Sequence, residues 1–127
     1  MAMTSKILVI DDEPDFCRLF ANVLTEMGHE VSTAVGGRQG LVETRENPPD
    51  IVFLDVKMPE MGGLECLRRL RKNKRKFVVV VMTGYGDIAS AREALRLGAD
   101  EYICKPFDLD DLKQLVDELV REPVGGL

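Results

Sequence analysis

Five apolar runs alternate with five helical patterns along the chain, and that alternation predicts an α/β fold, a five-stranded parallel sheet with helices on both faces. Two observations carry the prediction. Ile7-Leu8-Val9-Ile10, Ile51-Val52-Phe53-Leu54 and Phe77 to Met82 are continuously apolar, as central strands buried on both sides must be. The segments between them hold apolar residues at i, i+3, i+4 and i+7, the spacing of helices that bury one face. Such strand–helix–strand units make right-handed crossovers between parallel strands.

The first run stops at Asp11-Asp12. Phe16, Leu19, Phe20, Val23, Leu24 and Met27 then share one helical face, with Pro14 suited to the first turn and Gly28 to a left-handed stop. A second strand is placed at His29 to Ala34 and a second helix over 37–46, which is poor in apolar residues and carries Gly37 and Gly40. The third run stops at Asp55, and a helix follows from Leu64 to Lys72. The fourth stops at Thr83, before a helix from Asp87 to Leu97 ended by Gly98. A fifth run, Glu101 to Cys104, stops at Lys105; Leu109, Leu112, Leu115, Val116, Leu119 and Val120 then share a face, with Asp108 placed to cap their helix. The second and fifth strands are shorter or more polar and so belong at the edges. This ranking gives the order 2-1-3-4-5 of the flavodoxin-like doubly wound sheet. Residues 1–121 form one domain, and 122–127 lose helical periodicity, as a flexible tail or the start of a linker does.

At 127 residues the chain is long enough for one core without disulfides or metals as staples. A net charge of -5 argues against direct nucleic-acid binding, because the domain would repel phosphates on average. No apolar stretch approaches membrane-spanning length, so no membrane role is expected. Cys17, Cys66 and Cys104 are widely spaced and form no C-x-x-C pair, as reduced thiols of a cytoplasmic protein would be. The run from Arg68 to Lys76 has seven Lys or Arg in nine residues; it falls at a helix C-terminus, where cations favour the dipole, and reads as a solvated helix end.

Ligands of doubly wound sheets bind beyond the carboxyl ends of the strands, where strands 1 and 3 part to opposite winding. Asp11, Asp12 and Asp55 lie there. Three carboxylates in reach of one another cannot all stay ionised without a cation, and a hard oxygen-seeking ion such as Mg²⁺ suits them. Asp55 can attack a phosphoryl group to form an aspartyl phosphate. Lys105 can supply an ammonium to the phosphoryl oxygens, and the Thr83 hydroxyl can donate to one of them.

Four segments at these strand ends resemble the receiver domain of bacterial response regulators, over essentially the whole chain. They are Ile10-Asp11-Asp12-Glu13-Pro14, Asp55 to Gly63, Thr83-Gly84-Tyr85-Gly86-Asp87, and Gly98 to Phe107. The resemblance implies a phosphoacceptor switch that catalyses its own phosphorylation and dephosphorylation. Asp55 would take the phosphoryl group from a sensor histidine kinase or phosphotransfer protein. Asp11 and Asp12, with Asp55 and the backbone carbonyl of Lys57, would hold Mg²⁺. Lys105 would pair with the phosphate, before a cis bond to Pro106. Thr83 would move toward the phosphate, Tyr102 would turn inward, and the face of the fourth helix, fifth strand and fifth helix would change. That face would act on a downstream protein or a covalently linked output domain, with a homodimer on activation. Thr83 to Ile88 is similar to receivers of enhancer-dependent transcription activators. Lys57 and Tyr85 occupy positions that modulate phosphate lifetime in the family. Gly62 departs from the pattern, since the family often has an acidic residue there.

Three other readings compete. A flavin-binding flavodoxin relative would share the strand order, but Asp11-Asp12 would repel the flavin phosphate. A Mg²⁺-dependent phosphohydrolase would need a further acid/base carboxylate and a substrate cap. An interaction domain without phosphorylation would have no use for the acidic set. Elsewhere, Cys104 reads as a small buried thiol, His29 as a lone surface residue, and Gly84, Gly86 and Gly98 as turn and cap glycines.

Overall fold

A computed structural model describes residues 4–58, 60–72, 76–84 and 86–121. The tail 122–127, Tyr85, Pro59 and the Asn73-Lys74-Arg75 part of the basic run lie outside the described residues. The elements are β1 (Lys6–Asp11), α1 (Pro14–Glu26), β2 (Glu30–Val35), α2 (Gly37–Glu46), β3 (Ile51–Asp55), α3 (Gly63–Lys72), β4 (Val78–Gly84), α4 (Ile88–Arg96), β5 (Glu101–Lys105) and α5 (Leu109–Arg121). All neighbouring strands pair in parallel, in the order β2-β1-β3-β4-β5. The doubly wound sheet expected from the apolar runs is therefore the fold of this chain. Among the described residues, no helix is long and apolar enough to cross a membrane.

Alternate residues of the central strands feed two cores. Ile7, Val9, Ile51, Phe53, Val80 and Met82 pack with Cys17, Phe20 and Leu24 of α1 and Leu112 and Val116 of α5. Leu8, Ile10, Val52, Leu54, Val79 and Val81 pack on the other face with Cys66, Leu67 and Leu70 of α3 and Ala94 of α4. Helix α2 joins that second layer with almost no apolar side chains because it packs by its backbone. A Cβ on Gly40 would lie 2.5 Å from Ile10 Cδ1, so glycine is what lets the helix approach the sheet. Gly28 (φ +97°) and Gly98 (φ +111°) end α1 and α4 in the left-handed conformation expected of them. Asp108 Oδ1 accepts from the Asp110 N–H at 2.7 Å, opening α5.

Three residues depart from expectation. Cys104 is exposed, not buried. It sits on edge strand β5, whose Ile103 turns toward α5, while Tyr102 and Cys104 face the other side, where α4 buries only Ala91 and Ala94. His29 is buried, not a surface residue, because its Nδ1 accepts from the Ser5 N–H at 3.1 Å as β1 begins. Arg71, counted in the solvated helix end, turns inward. Its guanidinium donates to Phe77 O at 2.8 Å, Gly98 O at 2.8 Å and Asp100 Oδ2 at 2.6 Å, while Lys72 and Lys76 stay exposed.

Candidate metal and phosphoacceptor site

Register brings the proposed site together. Asp11 ends β1 and Asp55 ends β3, on adjacent strands at the edge where the chain winds to opposite faces. Lys105 ends β5 opposite Gly84, one rung beyond the Thr83–Cys104 pair. Asp11 and Asp55 are buried and Asp12 is half-buried. One carboxylate oxygen from each of the three lies within 4.8 Å of the others. Lys105 Nζ reaches over them, 2.6 Å from Asp11 Oδ2 and 3.8 Å from Asp55 Oδ2.

Local backbone bonds hold the carboxylates. The Glu13 N–H donates to Asp11 Oδ1 at 3.0 Å, and the Lys57 N–H donates to Asp55 Oδ1 at 3.3 Å. Behind Asp55, the Val56 N–H donates to Met82 O at 3.0 Å and the Gly63 N–H to Val56 O at 2.8 Å, so the loop folds back tightly onto β3. Gly63 has no room for a side chain: a Cβ would overlap the Asp55 carbonyl oxygen and approach Val56 Cα to 2.5 Å. A Cβ on Gly62 would meet nothing within 4 Å, so the departure noted there leaves the site intact.

Burial, and then the negative charge of Asp11, push the Asp55 carboxyl up from 3.8 to about 6; Lys105 and the Lys57 N–H pull the other way without prevailing. Three carboxylates facing one ammonium leave a surplus of negative charge, and the donors are all oxygen. That set fits Mg²⁺, which binds through one or two carboxylates and keeps waters for a phosphate. A cavity of about 640 Å³ bordered by Asp12, Gly36, Arg38, Met58, Met61 and Glu65 lies beside the cluster.

The two expected switch residues lie on β4 and β5. Thr83 is buried, and its hydroxyl donates to Ile103 O at 3.4 Å and contacts Cys104 Sγ at 3.7 Å, tying it to β5. Tyr102 is 39% exposed on the same strand. The Lys105-Pro106 bond is cis, as the resemblance implied. One residue at the site escaped notice in the sequence. Phe16, assigned only to a helical core face, places its ring 4.1 Å from Lys105 Nζ.

The response regulator receiver domain family matches residues 7–117. The chain belongs to that family. As a receiver domain it is a module of phosphorylation-based signalling, and this sets aside the flavodoxin-relative and phosphohydrolase readings. It is 36% identical over 121 residues to the regulatory protein AtoC of Escherichia coli, covering 95% of this chain and 26% of that protein. It is 35% identical over 114 residues to sporulation initiation phosphotransferase F of Bacillus subtilis, covering 90% of this chain and 92% of the relative. The crystal structure of the receiver domain of NtrX from Brucella abortus superposes with a TM-score of 0.84 at 34% identity, covering 92% of this chain and 99% of that one. The receiver thus spans about a quarter of AtoC and nearly all of the phosphotransferase.

Proposed function

We propose that this receiver is a Mg²⁺-dependent switch in which Asp55 accepts a phosphoryl group. The observation that carries the reading is the convergence of three carboxylates within 4.8 Å beneath the Lys105 ammonium. A carboxylate oxygen of Asp55 attacks phosphorus as the P–N bond of a phosphohistidine on a sensor kinase or phosphotransfer protein breaks. Its electron pair leaves with the imidazole, and Asp55 becomes an acyl phosphate. Mg²⁺ held by Asp11, Asp12, Asp55 and the Lys57 carbonyl supplies charge to offset that of the phosphoryl oxygens. Lys105 turns from Asp11 to the phosphate, and the same site later admits the water that hydrolyses the acyl phosphate.

Thr83 and Tyr102 relay the event. The 3.4 Å bond from Thr83 to Ile103 O is long enough to exchange for a charge-assisted one to a phosphoryl oxygen. Tyr102 then turns into the space left behind. A shift of this kind needs only a few kcal/mol of differential bonding. The face that changes is α4–β5–α5, where Ile88, Leu95, Tyr102 and Leu109 already expose apolar surface. Its listener is a downstream protein or a linked output domain, and a second copy can pair with it on activation. With a net charge of -5 the domain does not contact nucleic acid itself.

Intact mass spectrometry after incubation with acetyl phosphate and Mg²⁺ tests the reading. Wild type should gain one phosphoryl mass, and both Asp55→Asn and chelation should abolish the gain. Equal gain in wild type and Asp55→Asn would refute it.

A further inference from the structure

We infer that Phe16 is a positioning residue for Lys105, holding the ammonium at the carboxylate cluster while its ionic partners change. The inference rests on the reading of Lys105 as the counter-ion of the phosphate. The short contact of Lys105 is to Asp11, at 2.6 Å, and Asp55 is 3.8 Å away. Asp11 is also a proposed metal holder. When its charge is shared with a cation, the lysine loses its strongest tether before the phosphate can supply another. A four-carbon stem with a freely rotating head is poorly placed without a tether.

Phe16 supplies one of a suitable kind. Its ring centroid is 4.1 Å from Lys105 Nζ, inside the range in which the negative face of a ring attracts a cation. A ring face carries no lone pair for the metal and no net charge to repel a phosphoryl group, so it competes with neither. The ring is braced from two sides. Phe20 meets it edge-on at 5.4 Å and 66°, and Phe107 at 6.0 Å and 78°. Phe107 lies two residues beyond Lys105, so one segment carries the ammonium and braces the ring beneath it. Phe16 itself lies in the first turn of α1, immediately after the Asp11-Asp12 loop. Leucine would fill similar volume without the quadrupole.

Two measurements test this. In NMR spectra of the metal-free wild type, the ε-methylene protons of Lys105 should lie upfield of those of exposed Lys72 and Lys113, from the ring current. Coincidence with the exposed lysines would overturn the inference without any variant. Rates of phosphorylation by acetyl phosphate at saturating Mg²⁺ should then fall roughly five- to thirty-fold in Phe16→Leu and recover in Phe16→Tyr. In a Lys105→Ala background, Phe16→Leu should have no further effect. An equal loss in both backgrounds would show a packing role only and overturn the inference. If Lys105→Ala itself phosphorylates like wild type, the reading of Lys105 fails; if it is slow while Phe16→Leu is normal, the inference about Phe16 alone fails.

Discussion

Asp55 shows the conflict between stability and chemistry at the scale of one residue. Its folded carboxyl titrates at about 6 against 3.8 for the free group, so the folded state prefers it protonated. The sign follows from linkage. The ionised carboxylate costs nothing below about pH 4, begins to penalise folding above that, and exerts its full penalty above about pH 6. In chelator at neutral pH, Asp55→Asn should therefore melt higher than wild type, by about 1–3 kcal/mol, and the difference should vanish near pH 4. Thermal melts at both pH values check this, and a destabilised Asn variant at neutral pH would contradict it. The neighbouring glycines make a second prediction. Gly63→Ala forces a Cβ into the Asp55 backbone and should cost about 3 kcal/mol or more, whereas Gly62→Ala and Gly62→Asp should fold normally. Reading along the chain singled out Gly62 because it departs from the family pattern. The tight contact belongs to Gly63, and nothing in linear order reveals a clash with a residue eight positions earlier.

At the scale of elements, legibility followed burial. The runs ending in Asp11, Asp55 and Thr83 were readable because a central parallel strand has no polar side to show. Helix α2 was equally placed, at 37–46, although its packing runs through Gly40 against Ile10 and only Leu41 adds an apolar contact. Edge elements were harder. Cys104 looked like core because a free thiol is a small side chain that is commonly buried, yet only one face of β5 is covered. His29 looked solitary because its partner, the Ser5 N–H, is a main-chain group brought near by β1–β2 pairing. Arg71 was hidden within a run of like charges. By bonding Phe77 O, Gly98 O and Asp100 it joins α3 to β4 and to the α4–β5 turn. Arg71→Met removes the guanidinium from over Phe77 and takes its donors from Phe77 O and Gly98 O, while Asp100 Oδ2 keeps the Val79 N–H. It should cost about 2–3 kcal/mol in chemical denaturation, whereas Lys72→Met on the solvated side should be near neutral.

For the whole molecule, the convergence of Asp11, Asp12, Asp55 and Lys105 was legible because a doubly wound sheet turns linear strand ends into one edge, whereas Phe16 beside Lys105 was not. The output was not, because an output surface is defined by what lands on it. Ile88, Leu95, Tyr102 and Leu109 leave apolar surface on α4–β5–α5 among the described residues. Phosphorylated protein should sediment as a dimer at concentrations where the unphosphorylated form is monomeric. Leu95→Asp should block that dimer while leaving phosphorylation unchanged. A monomer in both states would place the receiver's listener elsewhere than a second copy.

Asp55, among three converging aspartates, is the one proposed to take the phosphoryl group. Borohydride reduces an aspartyl phosphate to homoserine, so reduction followed by peptide mapping reads the acceptor directly. After treatment with acetyl phosphate and Mg²⁺, homoserine should appear at position 55 alone, and disappear when the metal is chelated. Homoserine at position 11 or 12, or none at 55 in protein that has gained phosphoryl mass, would contradict the account.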